Sequence, residues 1–414
     1  MTRTLFFLIG FLSSTMLFGQ TDQEKKIEEF IQQKGDGFDA AYDKKDVDAY
    51  NLLLTEYLSH YGRLSADEKK KASFTLQNIY YNLCCIHSLL NNKAAAITNL
   101  KKSIEAGYNN YRHVQADTDL DNIRNEREFI ELNKQLRNTG DFLHILKKAG
   151  NYNIHDKRPL PVFTYQSGND PNLVSLRRKY DLDSIAGKGT DVLKFINLLR
   201  WVHNMVPHNG ENGNPEVKNA ASMIEVCKQS DRGLNCRGLA IVLNECYLAL
   251  GFKSRIVTCL PKDSLKVDPD CHVINMVYSG SLGKWLWMDP TFNAYVMNEK
   301  GELLGIEEVR ERLINDKPLI LNPDANWNNQ TAQTKENYLE GYMAKNLYML
   351  ECPASSEYDM ETVAGGKTYK YITLLPLDYH EQTPDKVEDK SKATGSSWVT
   401  FKTNNPKLFW KVPE

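Results

Sequence analysis

The stretch from Gly233 to Thr291 constrains the fold more than any other, because its hydrophobic pattern changes there from helical to strand-like. Six apolar residues recur at helical spacing: Leu239, Ala240, Val242, Leu243, Tyr247 and Leu250. Gly251 follows at the position where such a helix would stop. The pattern therefore predicts a buried helix that begins at Cys236.

Three strands are predicted after this helix, each rich in Val and Ile with polar residues between them. They are Ser254 to Leu260, His272 to Tyr278 and Lys284 to Met288. The last two flank a turn at Ser279 to Gly283, and the midpoint between positions 272 and 289 lies inside that turn. A simple hairpin would make His272 and Asp289 direct cross-strand partners, with Cβ atoms about 5 Å apart on one face. A bulge in the turn would separate them.

These positions carry the residue types of a nucleophilic site. A thiol at a helix start faces unsatisfied N–H groups and the positive end of the helix dipole, which favour the thiolate that attacks carbonyl carbon. Asp289 could accept a hydrogen bond from one nitrogen of His272 and leave the other facing Cys236. Each residue alone has a plainer explanation, namely a core cysteine, a strand histidine and a turn Asp before Pro290.

Four segments of this region resemble the transglutaminase-like superfamily: Asn235 to Ala240, Leu248 to Arg255, Cys271 to Asn275 and Trp287 to Thr291. The resemblance extends over roughly Pro161 to Trp327. It implies an α+β, papain-like core whose nucleophile helix packs on an antiparallel sheet. It also implies a catalytic triad, with Cys236 as nucleophile, His272 as general base and then acid, and Asp289 as the residue that orients the imidazole.

The superfamily often uses a side-chain oxyanion donor upstream of the cysteine. Trp201, His208 and Asn235 could each fill that role, and no feature of the sequence selects one. The backbone N–H of Cys236 is the expected donor in any case. No acidic cluster has the spacing of calcium ligands, so we expect neither a metal nor a cofactor.

The rest of the chain divides by composition. Residues 1–19 have the charged start and short apolar centre of a signal peptide, which predicts an exported bacterial protein that is periplasmic, envelope-bound or secreted. Residues 20–149 are predicted to be helical, with one tetratricopeptide-like repeat readable at Tyr80, Cys84, Ala96, Leu100 and Ser103. This layer either binds a protein partner or only packs on its neighbour. A Pro- and Gly-rich linker leads to the catalytic domain, 160–327, and to a β-rich extension, 328–414, that either continues the catalytic sheet or forms a separate module.

Composition excludes several function classes. The chain is 41% hydrophobic and 25% charged with a formal net charge of -2, which is typical of globular proteins and excludes a sustained basic surface for nucleic acid. No span is expected in the mature chain. We therefore expect a cysteine peptidase, amidase or acyltransferase that acts on peptide or carboxamide bonds, with water as the default acceptor. The alternative is a catalytically silent module that binds protein or glycan at the cell envelope.

Overall fold

The computed structural model describes residues 21–262, 270–377 and 386–413. The predicted signal peptide, residues 1–19, lies outside these ranges. The chain divides into two compact units, Met1–Asp141 and Phe142–Glu414.

The first unit is helical throughout its described part. Its α-helices are α1 (Asp22–Lys44), α2 (Val47–Tyr61), α3 (Ala66–Leu89), α4 (Lys93–Glu105), α5 (Tyr111–Ala116) and α6 (Arg127–Gly140), and a 3-10 helix spans Thr118–Ile123. Thr21 and Ser65 begin α1 and α3 with capping boxes, in which a Glu three residues on returns the hydrogen bond. The predicted helical region is thus present.

The readable repeat corresponds to the helix pair α3 and α4. Cys84, Ala96 and Leu100 are buried in one apolar cluster, and Ser103 Oγ donates to the carbonyl of Gln77 at 2.7 Å. Asn91 makes the turn with a φ of 57°, a left-handed conformation that Asn tolerates better than most residues. The spacing that suggested a helix–turn–helix repeat therefore reflects real packing.

The second unit combines helices with sheets. Its α-helices are α7 (Phe142–Lys147), α8 (Pro171–Lys179), α9 (Leu182–Ala186), α10 (Asp191–Met205), α11 (Ala220–Ser230), α12 (Cys236–Ala249), α13 (Ile306–Ile314), α14 (Ala344–Asn346) and α15 (Pro406–Phe409), with a π-helix at Glu336–Met343. Its strands are β1 (Thr164–Tyr165), β2 (Ser254–Leu260), β3 (His272–Ser279), β4 (Lys284–Met288), β5 (Val296–Met297), β6 (Ile320–Leu321), β7 (Asn326–Trp327), β8 (Thr331–Ala332), β9 (Met349–Pro353), β10 (Ser355–Ser356), β11 (Thr368–Leu374), β12 (Lys386–Lys390) and β13 (Ser397–Thr403).

The main sheet of the described chain has the strand order β12-β13-β11-β9-β2-β3-β4. Its pairs are antiparallel except β11 with β13. Helix α12 packs on one face, against Ile256 and Val273, while Val257 and Cys259 face a second core on the other. Because successive strand residues point to opposite faces, one sheet serves both cores.

Four of the strands after Trp327 belong to this sheet, namely β9, β11, β12 and β13, whereas β8 pairs with β7 and β10 pairs with β1. β9 pairs with β2, and β11 pairs with β9, so the predicted extension 328–414 continues the sheet that carries His272. The boundary on the other side lies earlier than position 149. Helix α7 belongs to the second unit because Leu146 is fully buried in that unit's core.

The register of the β3–β4 hairpin differs from the prediction by two residues. Ser279 pairs with Lys284 and Asn275 with Met288, so a four-residue loop joins the strands and Asp289 lies just beyond the ladder. His272 and Asp289 are therefore not direct partners. Because the register shifts by an even number of residues, the side chains of His272 and Asp289 still point to the same face of the sheet. They meet as diagonal neighbours.

The fold is α+β, with a helical N-terminal unit and a sheet-containing core. Among the helices that the structure describes, none is long and apolar enough to cross a membrane.

Candidate active site

Cys236 occupies the first position of α12. Asn235 precedes the helix in an extended conformation, and its side-chain oxygen accepts a hydrogen bond from the backbone N–H of Gly238 at 3.1 Å. This capping fixes where the helix begins and leaves the first N–H groups near the thiol. Cys236 is partly exposed, whereas six of the other cysteines are buried.

His272 and Asp289 form a buried pair behind the thiol. The Nε2 atom of His272 lies 2.7 Å from Oδ2 of Asp289, and both side chains are almost completely inaccessible to solvent. Since Nε2 is engaged, Nδ1 is the ring nitrogen of His272 that is left to interact with Cys236, whose pKa His272 lowers. The three predicted residues therefore come together in the order Cys236, His272, Asp289.

Asp289 is held by further donors. Tyr338, from the π-helix, donates its hydroxyl to Oδ2 at 2.6 Å, and Trp287 Nε1 donates to that hydroxyl at 3.2 Å. The backbone N–H of Thr291 donates to Oδ1 at 2.9 Å. Hydrogen bonds to both oxygens fix this buried carboxylate in position, which is what orienting an imidazole requires.

His208 approaches the thiol from a second side. Trp327 Nε1 donates to Nδ1 of His208 at 3.0 Å. An indole N–H can only donate, so Nδ1 must be the acceptor and the ring proton is on Nε2. Nε2 is then the ring nitrogen of His208 that is left to interact with Cys236, whose pKa His208 lowers. The ring thus presents an N–H group to the space around the sulfur.

Gly233 permits this approach. The segment containing His208 pairs with Leu234 in a parallel bridge, and a Cβ atom on Gly233 would lie 2.5 Å from the carbonyl oxygen of Pro207. Asn328 accepts from the His208 N–H at 2.7 Å and donates to its carbonyl at 2.9 Å. Only glycine lets the two segments pass so closely.

The electrostatics favour a thiolate–imidazolium pair. Burial opposes charge on Cys236, but hydrogen bonds from His208 and His272 outweigh it and lower the pKa of the thiol to about 6. Burial likewise opposes charge on His272, but Asp289 and Cys236 outweigh it and raise the pKa of the imidazole to about 10. Between these values both groups are charged.

The other two oxyanion candidates have different surroundings. Trp201 lies on α10 and packs against the ring of Tyr180, with centroids 5.5 Å apart. Asn235 uses its side-chain oxygen to cap α12. Of the three, His208 is the one whose side chain bonds to Cys236.

Sequence reasoning missed Tyr338 and Trp327. Both lie well beyond the motif region and contribute through tertiary contacts alone. The one sequence feature that points to this region is the four-residue spacing of Tyr338 and Tyr342. The ring of Tyr342 stands edge-on to that of His272, with centroids 5.2 Å apart. A π-helix brings both toward the site, but an isolated pair of tyrosines does not predict that helix type.

All eight cysteines lie in the described ranges and are free thiols, and six of them are buried. Among the described residues, no group of three or more His, Cys, Asp or Glu side chains could hold a metal ion. The chemistry available at this site is that of a thiolate, two imidazoles and a carboxylate.

Comparison with known proteins identifies the region. The family described as the transglutaminase-like superfamily matches residues 178–290, a range that contains Cys236, His208, His272 and Asp289. A chloroplastic protein of Arabidopsis thaliana is 33% identical over 55 residues, which are 13% of this chain and 16% of that protein.

A crystal structure described as a candidate cysteine protease from Cytophaga hutchinsonii is 21% identical, with a TM-score of 0.22, and covers 31% of this chain and 40% of that one. That TM-score is too low to support an inference. The chain spans well under two thirds of the length of either protein. Residues 178–290 form a transglutaminase-like core, as the sequence motifs predicted, and this supports a thiol enzyme in general terms.

Proposed function

From a transglutaminase-like core with this geometry, we propose that the protein is a thiol hydrolase that cleaves peptide or carboxamide bonds through an acyl-enzyme on Cys236. The observation that carries the proposal is a buried His272–Asp289 pair, with Nε2 of His272 2.7 Å from Oδ2 of Asp289, beside the partly exposed Cys236, whose pKa His272 and His208 both lower. A purely structural core would not need this arrangement. Buried polar groups there need hydrogen-bond partners, but they do not need to be exposed to solvent.

In the first step, the Cys236 thiolate attacks the carbonyl carbon and forms a carbon–sulfur bond. The carbonyl oxygen becomes an oxyanion. Its donors are the backbone N–H of Cys236 and the Nε2–H of His208, which Trp327 keeps in the donating tautomer. His208 is thus our choice among the three upstream candidates.

In the second step, the tetrahedral intermediate collapses and the carbon–nitrogen bond breaks. The His272 imidazolium donates its Nδ1 proton to the departing amine, while Asp289 holds Nε2. Water then attacks the thioester, and His272 takes a proton from it. The carbon–sulfur bond breaks, a carboxylic acid leaves, and the thiolate–imidazolium pair is restored.

Water is the proposed acceptor because Cys236 is partly exposed, whereas a cross-linking enzyme must exclude water in favour of an amine. We further propose export, on the basis of the signal-like pattern at residues 1–19. A protein or peptide substrate is the expected partner of such a site.

The proposal is tested by incubating the wild type and a Cys236→Ala variant with envelope extracts and analysing the products by mass spectrometry. New peptide termini or deamidated side chains are expected with the wild type and not with the variant. Cys271→Ala is the matched control, because Cys271 is the other partly exposed thiol and burial raises its pKa to about 11. Identical products from the wild type and Cys236→Ala, or none from either, would contradict hydrolysis at Cys236. New cross-links in place of termini would identify an amine acceptor.

A further inference from the structure

A cavity of about 380 Å³ begins at the residue that follows the nucleophile. Arg237 lines it, with one guanidinium nitrogen paired to Glu361 and the other donating to Thr258 Oγ1 at 2.8 Å. Thr258 precedes Cys259, whose cross-strand partner is His272. Because consecutive strand residues point to opposite faces, Thr258 and His272 lie on opposite faces of the sheet. The cavity has the size of small-ligand pockets.

The floor of the cavity is one face of the main sheet. Glu351 pairs with both Thr258 and Thr373, Tyr371 pairs with Thr400, and Tyr369 pairs with Trp398, so all these side chains point to one face. It is the face that α12 covers over β2 and β3. Over β9, β11 and β13 the same face instead carries hydroxyl, carboxylate and aromatic groups.

The aromatic part of the floor is prearranged. The rings of Tyr369 and Trp398 are stacked, with planes 13° apart and centroids 5.5 Å apart. Tyr369 is fixed from the other side, since its hydroxyl donates to the carbonyl of Thr362 at 2.8 Å and accepts from the N–H of Ala364 at 2.9 Å. Trp398 and Tyr371 are only partly buried and line the open space.

The charges that line the cavity balance. Two cations, Lys218 and Arg237, face two carboxylates, Glu351 and Glu361, so the lining has no net formal charge. A strongly anionic or cationic ligand would meet as much repulsion as attraction. A neutral ligand rich in hydroxyl groups could instead use the carboxylates as acceptors and the cations as donors.

Sugar rings meet both requirements. The C–H groups on one face of a pyranose carry small positive partial charges and stack on the negative face of an aromatic ring. Their hydroxyls both donate and accept, as the lining of Glu351, Arg237 and Thr400 requires. We propose that this cavity is a binding site for a neutral glycan.

The test is a calorimetric titration of the full chain with chitotriose and with cellotriose, in the Cys236→Ala background. Because the thiol is absent, the result does not depend on whether Cys236 is catalytic. At least one trisaccharide should bind saturably. Trp398→Leu, which keeps an apolar side chain on the strand but no ring, should weaken binding by about tenfold, the effect of losing one aromatic contact. Trp398→Tyr keeps a ring and should change affinity by less than about threefold.

Three results would overturn the proposal. The first is that neither trisaccharide binds. The second is that a folded Trp398→Leu variant binds a trisaccharide as tightly as its parent. The third is that either tri-lysine or tri-glutamate binds more tightly than the sugars. The thermal unfolding midpoint of each variant shows whether it is folded. Trp398→Tyr changes the same surface with little change in packing. The proposal can therefore still be tested with this variant if Trp398→Leu does not fold.

Discussion

At the scale of single residues, the site depends on hydrogen bonds that decide which atom carries a proton. Asp289 engages Nε2 of His272, and Trp327 engages Nδ1 of His208, so each imidazole has one remaining nitrogen for the thiol. The two rings therefore act differently. In the proposed reaction, His272 exchanges a proton, whereas His208 only donates a hydrogen bond.

Replacing Tyr338 with Phe removes one donor from the buried carboxylate of Asp289. We expect the free energy of unfolding to fall by about 2 kcal/mol, the usual size for a hydrogen bond to a charged group. The hydroxyl of Tyr338 also disperses the charge of Asp289. Its loss should strengthen the attraction between Asp289 and the His272 imidazolium, so the pH at which activity falls on the alkaline side should increase. Urea unfolding and a pH profile measure the two effects.

Tyr342→Phe is the matched control, because Tyr342 lies on the same π-helix and the contacts from its hydroxyl to Asp270 and to the carbonyl of Cys271 are both long, at 3.4 Å. An equal loss of stability in both variants, with no change in the pH profile, would show that Tyr338 only fills space.

The residue types of the triad were predictable because each carries its own chemical signature in the sequence. Cys236 and His272 stand at the starts of predicted elements, and Asp289 stands just after one. Tyr338 and Trp327 were not predictable, since an aromatic residue in a distant segment has a core explanation by default. Their function appears only when the fold brings the segments together.

At the scale of elements, the hairpin shows how a wrong register can preserve a correct contact. The predicted pairing centres the turn between Gly280 and Ser281, whereas Ser279 pairs with Lys284, which centres the turn between Ser281 and Leu282. Turn geometry sets register, and it is not visible in a hydrophobic pattern. Because the error was two residues and not one, His272 and Asp289 still face each other.

The bridge between the segments around His208 and Leu234 can be tested at Gly233. Gly233→Ala places a Cβ within 2.5 Å of the Pro207 carbonyl oxygen, so the segment must shift and take His208 with it. With one hydrogen bond to the thiolate lost, we expect the pKa of Cys236 to rise from about 6 toward its ordinary range. The pH dependence of alkylation measures this shift.

Gly213→Ala is the control for this prediction. It lies in the loop between α10 and α11 that contains His208, and a Cβ there would meet nothing within 4 Å. An unchanged Cys236 pKa in Gly233→Ala, or an equal change in both variants, would contradict the role assigned to the close approach.

At the scale of the whole molecule, the sequence indicated the α+β class and the helical first unit but misplaced their boundary. The composition shift near Gly150 suggested a linker, whereas α7 belongs to the second unit through Leu146. A short amphipathic helix does not reveal which core its apolar side covers. The sequence also does not show whether the extension after Trp327 continues the catalytic sheet, because spacing does not reveal which distant strands pair.

This boundary predicts the behaviour of fragments. A fragment of residues 142–414 should unfold cooperatively and keep the low pKa of Cys236. A fragment of residues 150–414 lacks Leu146 and should be less stable by at least about 3 kcal/mol, the scale of truncating one buried Leu. Urea unfolding of both fragments provides the comparison. Equal stabilities, or an unfolded 142–414 fragment, would refute the division at Asp141.

The proposed function requires that the fold activate Cys236 as a thiolate. The most direct measurement is the rate of iodoacetamide alkylation at Cys236 as a function of pH, followed by mass spectrometry. The pKa of this thiol is lowered to about 6, so the rate should rise through that pH and stay high at neutrality, while Cys271 reacts only at much higher pH. A His272→Ala variant should move the rise upward. If Cys236 instead reacts with the pH dependence of an ordinary thiol, near 9, and His272→Ala leaves it unchanged, the site is not an activated nucleophile.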